Sequence, residues 1–424
     1  MALYVSIGRL AVGVRGPVVL CLAVAALLQG KTPADEFRGR RAALQKSLDD
    51  GVLLLRGNAE AYDPIRRFQQ DPNFYYLTGW TEPGASLLMT PSTEILFLPS
   101  PNERAERYSG KRASAGDAGI RAATGFETVL PVEKLESELD RALSTHTRLY
   151  APWAEYYATQ LRSRYPFREV ADATPLIARL RVKKSEAEIA AIQHATDVSM
   201  EAHRAAWKGA TAGQHEYHLA ALLLGKFLDA GCEGPAYSPI VGAGADGAIL
   251  HYMANQRRMD RGELVVVDAA AQCEGYASDI TRTIPVGGKF TAREREVYQV
   301  VLGAQKAAIA AVKPGARLAG TGASLTKIAR DYIDAHGKDL RGDPLGKYFT
   351  HDIGHQVGLE VHDPPSDGPL EAGMVITIEP GVYIPEEKLG IRIEDVVLVT
   401  PTGAKVLSAA LPKEPDEIEK AVGQ

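Results

Sequence analysis

Gly262-Glu-Leu-Val-Val-Val-Asp268-Ala-Ala-Ala-Gln-Cys-Glu-Gly-Tyr-Ala-Ser-Asp279-Ile-Thr-Arg-Thr283 decides how the rest of this chain is read. An apolar β-branched run carries Asp268, Glu274-Gly275 offers a turn, and a second extended run carries Asp279, which predicts a β-hairpin. Folded about the midpoint of 268 and 279, between Cys273 and Glu274, the hairpin would set the two aspartates directly opposite, their Cβ atoms about 5 Å apart. Carboxylates at that spacing repel. The pattern therefore requires a shared proton or a cation between them.

A second stretch repeats the arrangement. Gly373-Met-Val-Ile-Thr-Ile-Glu379-Pro-Gly-Val-Tyr-Ile384 and Leu389-Gly-Ile-Arg392-Ile-Glu394-Asp395 flank the turn Pro385-Glu-Glu-Lys388, and the midpoint of 379 and 394 falls inside that turn. Between the two predicted hairpins lies His351-Asp-Ile-Gly-His355-Gln-Val-Gly-Leu-Glu-Val-His362-Asp363, whose imidazoles can ligate metal or carry protons. Four carboxylates with a neutral histidine form a mostly hard donor set. One divalent cation would leave it at about −2, whereas two cations and a bridging hydroxide bring it to about −1.

On these motifs the sequence resembles the metal-dependent pita-bread peptidases of family M24, in the branch of aminopeptidase P and prolidase. The resemblance runs from about Ser185 to about Leu411, and residue by residue it puts five metal ligands on Asp268, Asp279, His355, Glu379 and Glu394. It implies two divalent ions, manganese first, with zinc, cobalt or iron as rivals. It further implies that Glu379 carries the proton from the attacking hydroxide to the leaving nitrogen, that His251 and His362 steady the scissile carbonyl and the oxyanion, and that His351 and Arg392 contact substrate. The expected fold is an α/β amino-terminal domain (31–178) followed by an α+β pita-bread catalytic domain (179–424).

The expected reaction is release of the first residue from peptides with proline second, by an Xaa-Pro aminopeptidase. A prolidase, restricted to Xaa-Pro dipeptides, is the alternative. A non-catalytic binding module on this fold typically loses ligands, and all five are present. The same resemblance implies a homo-oligomer of two or four subunits.

With 424 residues, 45% hydrophobic and 24% charged, the chain can bury more than one core. A net charge of −5 without a dense basic stripe gives no electrostatic reason to expect nucleic acid or an acidic membrane as partner. Residues 1–30 differ from the rest. Arg9 and Arg15 precede Val18-Val-Leu-Cys-Leu-Ala-Val-Ala-Ala-Leu-Leu28, an apolar run suited to an export signal and shorter than the about 20 residues of a membrane span. Export to the periplasm or medium is expected, with an uncleaved membrane anchor or a cytoplasmic extension as alternatives. Cys232 and Cys273 could pair in an oxidising compartment, and the reading preferred here is that each is a small buried hydrophobe.

Upstream, a helix near Phe37 to Leu48, Gly51-Val-Leu-Leu-Leu55, Ser86-Leu-Leu-Met89 and Glu94-Ile-Leu-Phe-Leu98 alternate as an α/β domain should. Phe74-Tyr-Tyr-Leu77 reads as a buried aromatic strand ending at Gly79. Tyr108-Ser-Gly-Lys-Arg112 reads as an exposed basic loop. Ser185-Glu-Ala-Glu188 and Thr291-Ala-Arg-Glu294 are capping boxes that open helices, and Gln214 to Ala230 is a further helix. Gly242-Ala-Gly244-Ala-Asp-Gly247 spells a dinucleotide fingerprint, but no helix-forming stretch follows it, so it is read as a wall of the active-site cleft.

Overall fold

The computed structural model describes residues 33–60, 67–152, 155–366 and 368–422, and the segment 1–30 read as an export signal lies outside the described residues. Among the described residues no helix is long and apolar enough to cross a membrane. Helix Ala34–Gln45 leads into β1 (Gly51–Arg56), the centre of a sheet with β2 (Ser86–Met89), β3 (Glu94–Leu98), β4 (Val129–Pro131), β5 (Arg148–Ala151) and β6 (Glu169–Asp172). The strand order is β4-β3-β2-β1-β5-β6, antiparallel at β1/β2 and β2/β3 and parallel elsewhere. Both faces of β1 are covered. Val52 and Leu54 pack with Leu139 and Leu149, while Leu53 and Leu55 pack with Leu44 and Phe74, the two-residue period of a strand buried on both sides.

One expectation fails here: Phe74-Tyr-Tyr-Leu77 lies in helix Pro72–Thr78, not in a strand. Asp71 accepts from the Phe74 N–H at 2.7 Å, Pro72 sits in the first turn, and Gly79 closes the helix at φ 66°. An Asp-Pro start and a left-handed glycine stop outweigh the β preference of three aromatic residues. The segment read as an exposed loop is in part helical: Tyr108, 86% exposed, and Ser109 end helix Glu103–Ser109, the loop begins at Gly110, and Arg112 pairs with Glu60 at 2.5 Å.

Ser185 and Glu188 form the expected capping box of helix Glu186–Gly209, against which helix Glu216–Asp229 packs. Then come β7 (Gly234–Pro235), β8 (Ile240–Ala243), β9 (Leu264–Asp268), β10 (Ala271–Cys273), β11 (Tyr276–Ala277) and β12 (Thr281–Pro285). Helices Ala292–Ala311, opened by the Thr291/Glu294 box, and Leu325–His336 form a second packed pair, followed by β13 (Val375–Ile378), β14 (Gly381–Ile384), β15 (Leu389–Arg392), β16 (Asp395–Thr400) and β17 (Gly403–Val406). A helix pair with a hairpin thus occurs twice, the α+β architecture expected.

The first hairpin is offset from its expected register. Asp268 stands opposite Thr281 and Cys273 opposite Tyr276, so the turn is Glu274-Gly275, at φ 55° and 81°. Two successive left-handed residues make the hairpin turn that matches strand twist, and Gly275 takes the second position without a Cβ penalty where Cys273 would have incurred one at the first. Ala269 N–H donates to Ile280 O and Ser278 N–H to Ala271 O, which sets Asp279 across from Ala270, diagonal to Asp268 rather than opposite it. A shift of two keeps both aspartates on one face.

The second hairpin has the expected register: Ile378 faces Asp395 and Gly381 faces Arg392, so Glu379 and Glu394 stand opposite each other. The hairpins dock on each other. Glu394 N–H donates to Thr281 O at 3.0 Å, and buried Arg282 bonds Asp395 Oδ1 at 2.7 Å. β8 runs into a 3-10 turn, Gly244–Ala248, instead of a helix, and a Cβ at Gly390 would lie 1.8 Å from Gly247 O. That glycine pair lets the turn press against β15, but residues 242–247 do not line the cleft as expected; Ile240 before them and Leu250 and His251 after them do.

Cys232 and Cys273 are not separate hydrophobes; they form a disulfide. β7 pairs with β10, Gly234 opposite Gln272, and this seats the two cysteines with Cα atoms 4.4 Å apart.

Candidate active site

Asp268 and Asp279 leave the first hairpin on one face, Glu379 and Glu394 leave the second, and the loop carrying His351, His355 and His362 closes over them. One cleft of about 570 Å³ is lined by all nine residues singled out in the sequence, His251 and Arg392 included. Ligand atoms of Asp279, His355 and Glu394 lie within 4.8 Å of one another. His355 Nε2 is 3.3 Å from Asp279 Oδ2 and 3.4 Å from Glu379 Oε1, and its Nδ1 donates to Gln356 O at 3.0 Å. Nε2 is therefore the nitrogen that faces the carboxylates.

Each acid has its own support. Arg392 Nη2 bonds Asp268 Oδ2 at 2.6 Å, and Thr281 Oγ1 donates to Glu394 Oε2 at 2.6 Å. Thr377 Oγ1 accepts from the His355 N–H at 3.0 Å and donates to Glu379 Oε1 at 2.9 Å, which leaves Oε2 for other work. Tyr237, unremarked in the sequence, spans the diagonal pair: its hydroxyl lies 2.5 Å from Asp268 Oδ1 and 2.6 Å from Asp279 Oδ1.

A polar chain runs along the floor. Arg392 Nη1 donates to Tyr383 Oη at 2.9 Å, so the Tyr383 hydroxyl turns its proton to His351 Nε2 at 3.0 Å, and His351 Nδ1 donates to Asp352 O at 2.8 Å. His351 is thus neutral, and burial holds its pKa down at about 4. His362 stacks edge-on to His355 with ring centres 4.0 Å apart, and burial, then the charge of His355, lowers its pKa.

Charge decides what the cluster can hold. Burial, then the charges of Asp279, Glu379 and Asp268, push Glu394 well above the usual carboxylate range. Burial also lifts Glu379 to about 7, with Asp279 adding to the rise against the pull of His355. Burial opposes a charged His355, yet the hydrogen bond and charge of Asp279, with Glu379, outweigh it and raise its pKa to about 9. Four acids of which two resist ionisation, an imidazole drawn toward cationic form, and a single buried arginine are the donor set that divalent cations satisfy. The residues fit a metal centre.

Residues 190–401 match the family described as Metallopeptidase family M24, and residues 37–150 match Aminopeptidase P, N-terminal domain. The chain belongs to metallopeptidase family M24. It is similar to the Xaa-Pro aminopeptidase of Haemophilus influenzae, 33% identical with 92% of this chain and 97% of that protein covered. It is also similar, over 55% of this chain and 65% of that one, to the Xaa-Pro dipeptidase of Pyrococcus furiosus, 43% identical. Among solved structures, Pseudomonas aeruginosa aminopeptidase PepP matches with a TM-score of 0.83 at 30% identity, covering 92% of this chain and 98% of its own.

In this M24 peptidase, sequence reasoning passed over Tyr237, Tyr383, Thr281 and Thr377. Three were within reach. Thr377 and Tyr383 share the strand parity of Glu379, and Thr281 that of Asp279, so once an acid is placed in a site its neighbours two and four residues away face it too. Tyr237 carried no such signal, because it reaches the site through the pairing of β7 with β10.

Proposed function

We propose that this chain is an Xaa-Pro aminopeptidase that uses two divalent cations, manganese first among them, held by Asp268, Asp279, His355, Glu379 and Glu394. The observation that carries the reading is the docking of two hairpins that turns four carboxylates and one imidazole nitrogen into a single cleft. Bound there, the cations would activate water and polarise the scissile carbonyl.

The chain's own residues supply the rest. Glu379 takes a proton on Oε2, since Thr377 occupies Oε1, and returns it to the departing proline nitrogen. His362 beside His355, and His251 on the wall, donate to the carbonyl oxygen as negative charge builds on it. Arg392 pairs with Asp268 and, through Tyr383, fixes neutral His351 where the substrate backbone passes.

Export is part of this proposal, supported by the apolar segment before Lys31 and by the Cys232–Cys273 pair, which persists in an oxidising compartment.

A second reading, dipeptidase, is favoured by the 43% identity to an Xaa-Pro dipeptidase. Against it, Val361 lines both the catalytic cleft and a neighbouring cavity of about 750 Å³, leaving room for chain beyond proline. Metal-loaded protein is given Gly-Pro, Gly-Pro-Ala and Gly-Ala-Ala and the products are weighed. Cleavage of Gly-Pro-Ala after glycine is expected; cleavage of Gly-Pro alone would make it a dipeptidase, and cleavage of Gly-Ala-Ala would remove the proline requirement.

A further inference from the structure

His355 and His362 stand near the two ends of one loop, and the ends are fixed differently. The His355 end is laced to β13: Thr377 N–H donates to His355 O at 2.9 Å and Val357 N–H to Val375 O at 3.0 Å. The His362 end is closed by the residue that follows it. Asp363 N–H donates to Gln356 O at 3.0 Å, and Asp363 Oδ1 accepts from the Glu360 N–H at 3.3 Å, so one residue ties together the ends and the middle of the loop. Gly358, inside the loop, has no space for a side chain, since a Cβ there would lie 2.5 Å from Asp363 Oδ2.

The carboxylate is in turn gripped by two cations from the junction between the domains. Arg181, the last residue of helix Thr174–Arg181, donates to Oδ1 at 2.6 Å, and Lys184 Nζ donates to Oδ2 at 3.1 Å. All three side chains are at most 2% exposed. Taking three charges out of water is costly, and an apolar trio of similar volume commonly serves stability as well. What the ions add is direction: with a cation on each oxygen, the plane of the carboxylate is fixed. The junction is itself braced, because Arg181 Nη1 donates to Asn73 Oδ1 at 2.8 Å and the Tyr76 hydroxyl to Leu180 O at 2.9 Å, both from helix Pro72–Thr78. His362 and Val361 line the cleft, whereas Asp363 does not. Asp363 therefore reaches the site only through its neighbour.

Resting on the reading of His362 as a donor to the scissile carbonyl, we propose that Asp363, clamped between Arg181 and Lys184, is a positioning residue that aims His362 at the developing oxyanion. Such a donor acts only where the negative charge will appear, and a misplacement of about 1 Å can cost about 10²-fold in rate. The loss falls on kcat rather than KM, because the interaction is made in the transition state.

His362→Ala, Asp363→Asn and the two combined are compared on Gly-Pro-Ala, with metal content and urea midpoint measured on each full-length protein. His362→Ala is expected to lower kcat about 10²–10³-fold, the range for a lost oxyanion donor, and Asp363→Asn about 10–10²-fold, with KM within about three-fold. The double variant should be no slower than His362→Ala, because Asp363 acts through the imidazole. A carboxylate with a structural role alone gives another pattern: the urea midpoint falls while kcat per folded, metal-loaded chain stays, or the two losses multiply. Either result would overturn the proposal. Asp363→Asn strands two buried cations, so Gly358→Ala, which keeps every charge and displaces the carboxylate, serves as a second probe. It should lower kcat about 3–10-fold at unchanged metal content and add nothing in the His362→Ala background. Near-normal kcat in His362→Ala would remove the donor role of His362 and this inference with it. A slow His362→Ala beside near-normal Asp363→Asn and Gly358→Ala would keep that role and remove the clamp.

Discussion

The two hairpins do the same task with different geometry. In the second, Glu379 and Glu394 face each other across a register that the position of its turn sets, and each is held by a threonine. In the first, Asp268 and Asp279 sit on a diagonal, one Tyr hydroxyl spans them, and the tip is tied to the helical layer by Cys232–Cys273. Opposed acids have Cβ atoms about 5 Å apart and diagonal ones about 7–8 Å, so the first hairpin has room for a bridging hydroxyl where the second has only a short gap. The hairpins are nonetheless coupled electrostatically: burial is the main cause that pushes the ionisation of Glu379 and Glu394 upward, and Asp279 of the first hairpin adds to the rise at both.

The comparison breaks most sharply if an acid is removed from each side. Asp268→Ala and Glu394→Ala each delete a proposed ligand, and both should lose bound metal and at least about 10³-fold in kcat/KM. Glu379→Gln keeps the size and one coordinating oxygen but removes the base, so turnover should fall about 10²–10⁴-fold with metal content retained. Metal analysis on the same samples decides. Two ions and near-normal rates in Asp268→Ala or Glu394→Ala would remove those residues from the ligand set; a Glu379→Gln enzyme with both ions and near-normal rates would pass the proton role to His362.

How much of this was legible follows the same division. Composition and β-branched runs located both hairpins, because a strand buried by its neighbours must be apolar except where it carries the site. The second register was countable since its polar turn leaves one midpoint. The first was misplaced by two because the midpoint of Asp268 and Asp279, between Cys273 and Glu274, does not coincide with the centre of the Glu274-Gly275 turn, where positive φ at both residues fixes the register. Contacts made between elements distant in sequence, such as Tyr237 on the aspartates or the disulfide, have no periodic signature. The Phe74 helix was missed for another reason: its caps lay in the sequence, but aromatic content was weighed above them.

The disulfide sharpens the contrast at an intermediate scale. Closing a loop of 41 residues, it should contribute about 2–4 kcal/mol by restricting the unfolded chain, so Cys232→Ser/Cys273→Ser is expected to unfold at correspondingly lower urea. If the tip also holds the diagonal aspartates in place, metal affinity falls in the same variant while Glu379 keeps its proton transfer. Protein recovered from its native cell should label with no thiol reagent at these positions and begin near residue 31. Two free thiols and an intact Met1 would place the protein in a reducing compartment.

The smallest effects separate the turns themselves, and they have opposite signs. Gly275 sits at φ 81° with Tyr75 3.1 Å from where a Cβ would be, so Gly275→Ala adds left-handed strain and a tight contact. Lys388 closes the other turn at φ 51°, a conformation that a side chain disfavours, and Lys388→Gly relieves it. Expected changes are a loss of about 1–2 kcal/mol for Gly275→Ala and a gain of up to about 1 kcal/mol for Lys388→Gly, the latter reduced by the greater freedom of glycine in the unfolded chain. Urea midpoints of the two variants measure this. Because register in the first hairpin depends on Gly275, its alanine variant should also lose activity, whereas Lys388→Gly should not. A Gly275→Ala protein with unchanged midpoint and rate would mean that the disulfide and Tyr237, rather than the turn, hold Asp279 on its diagonal.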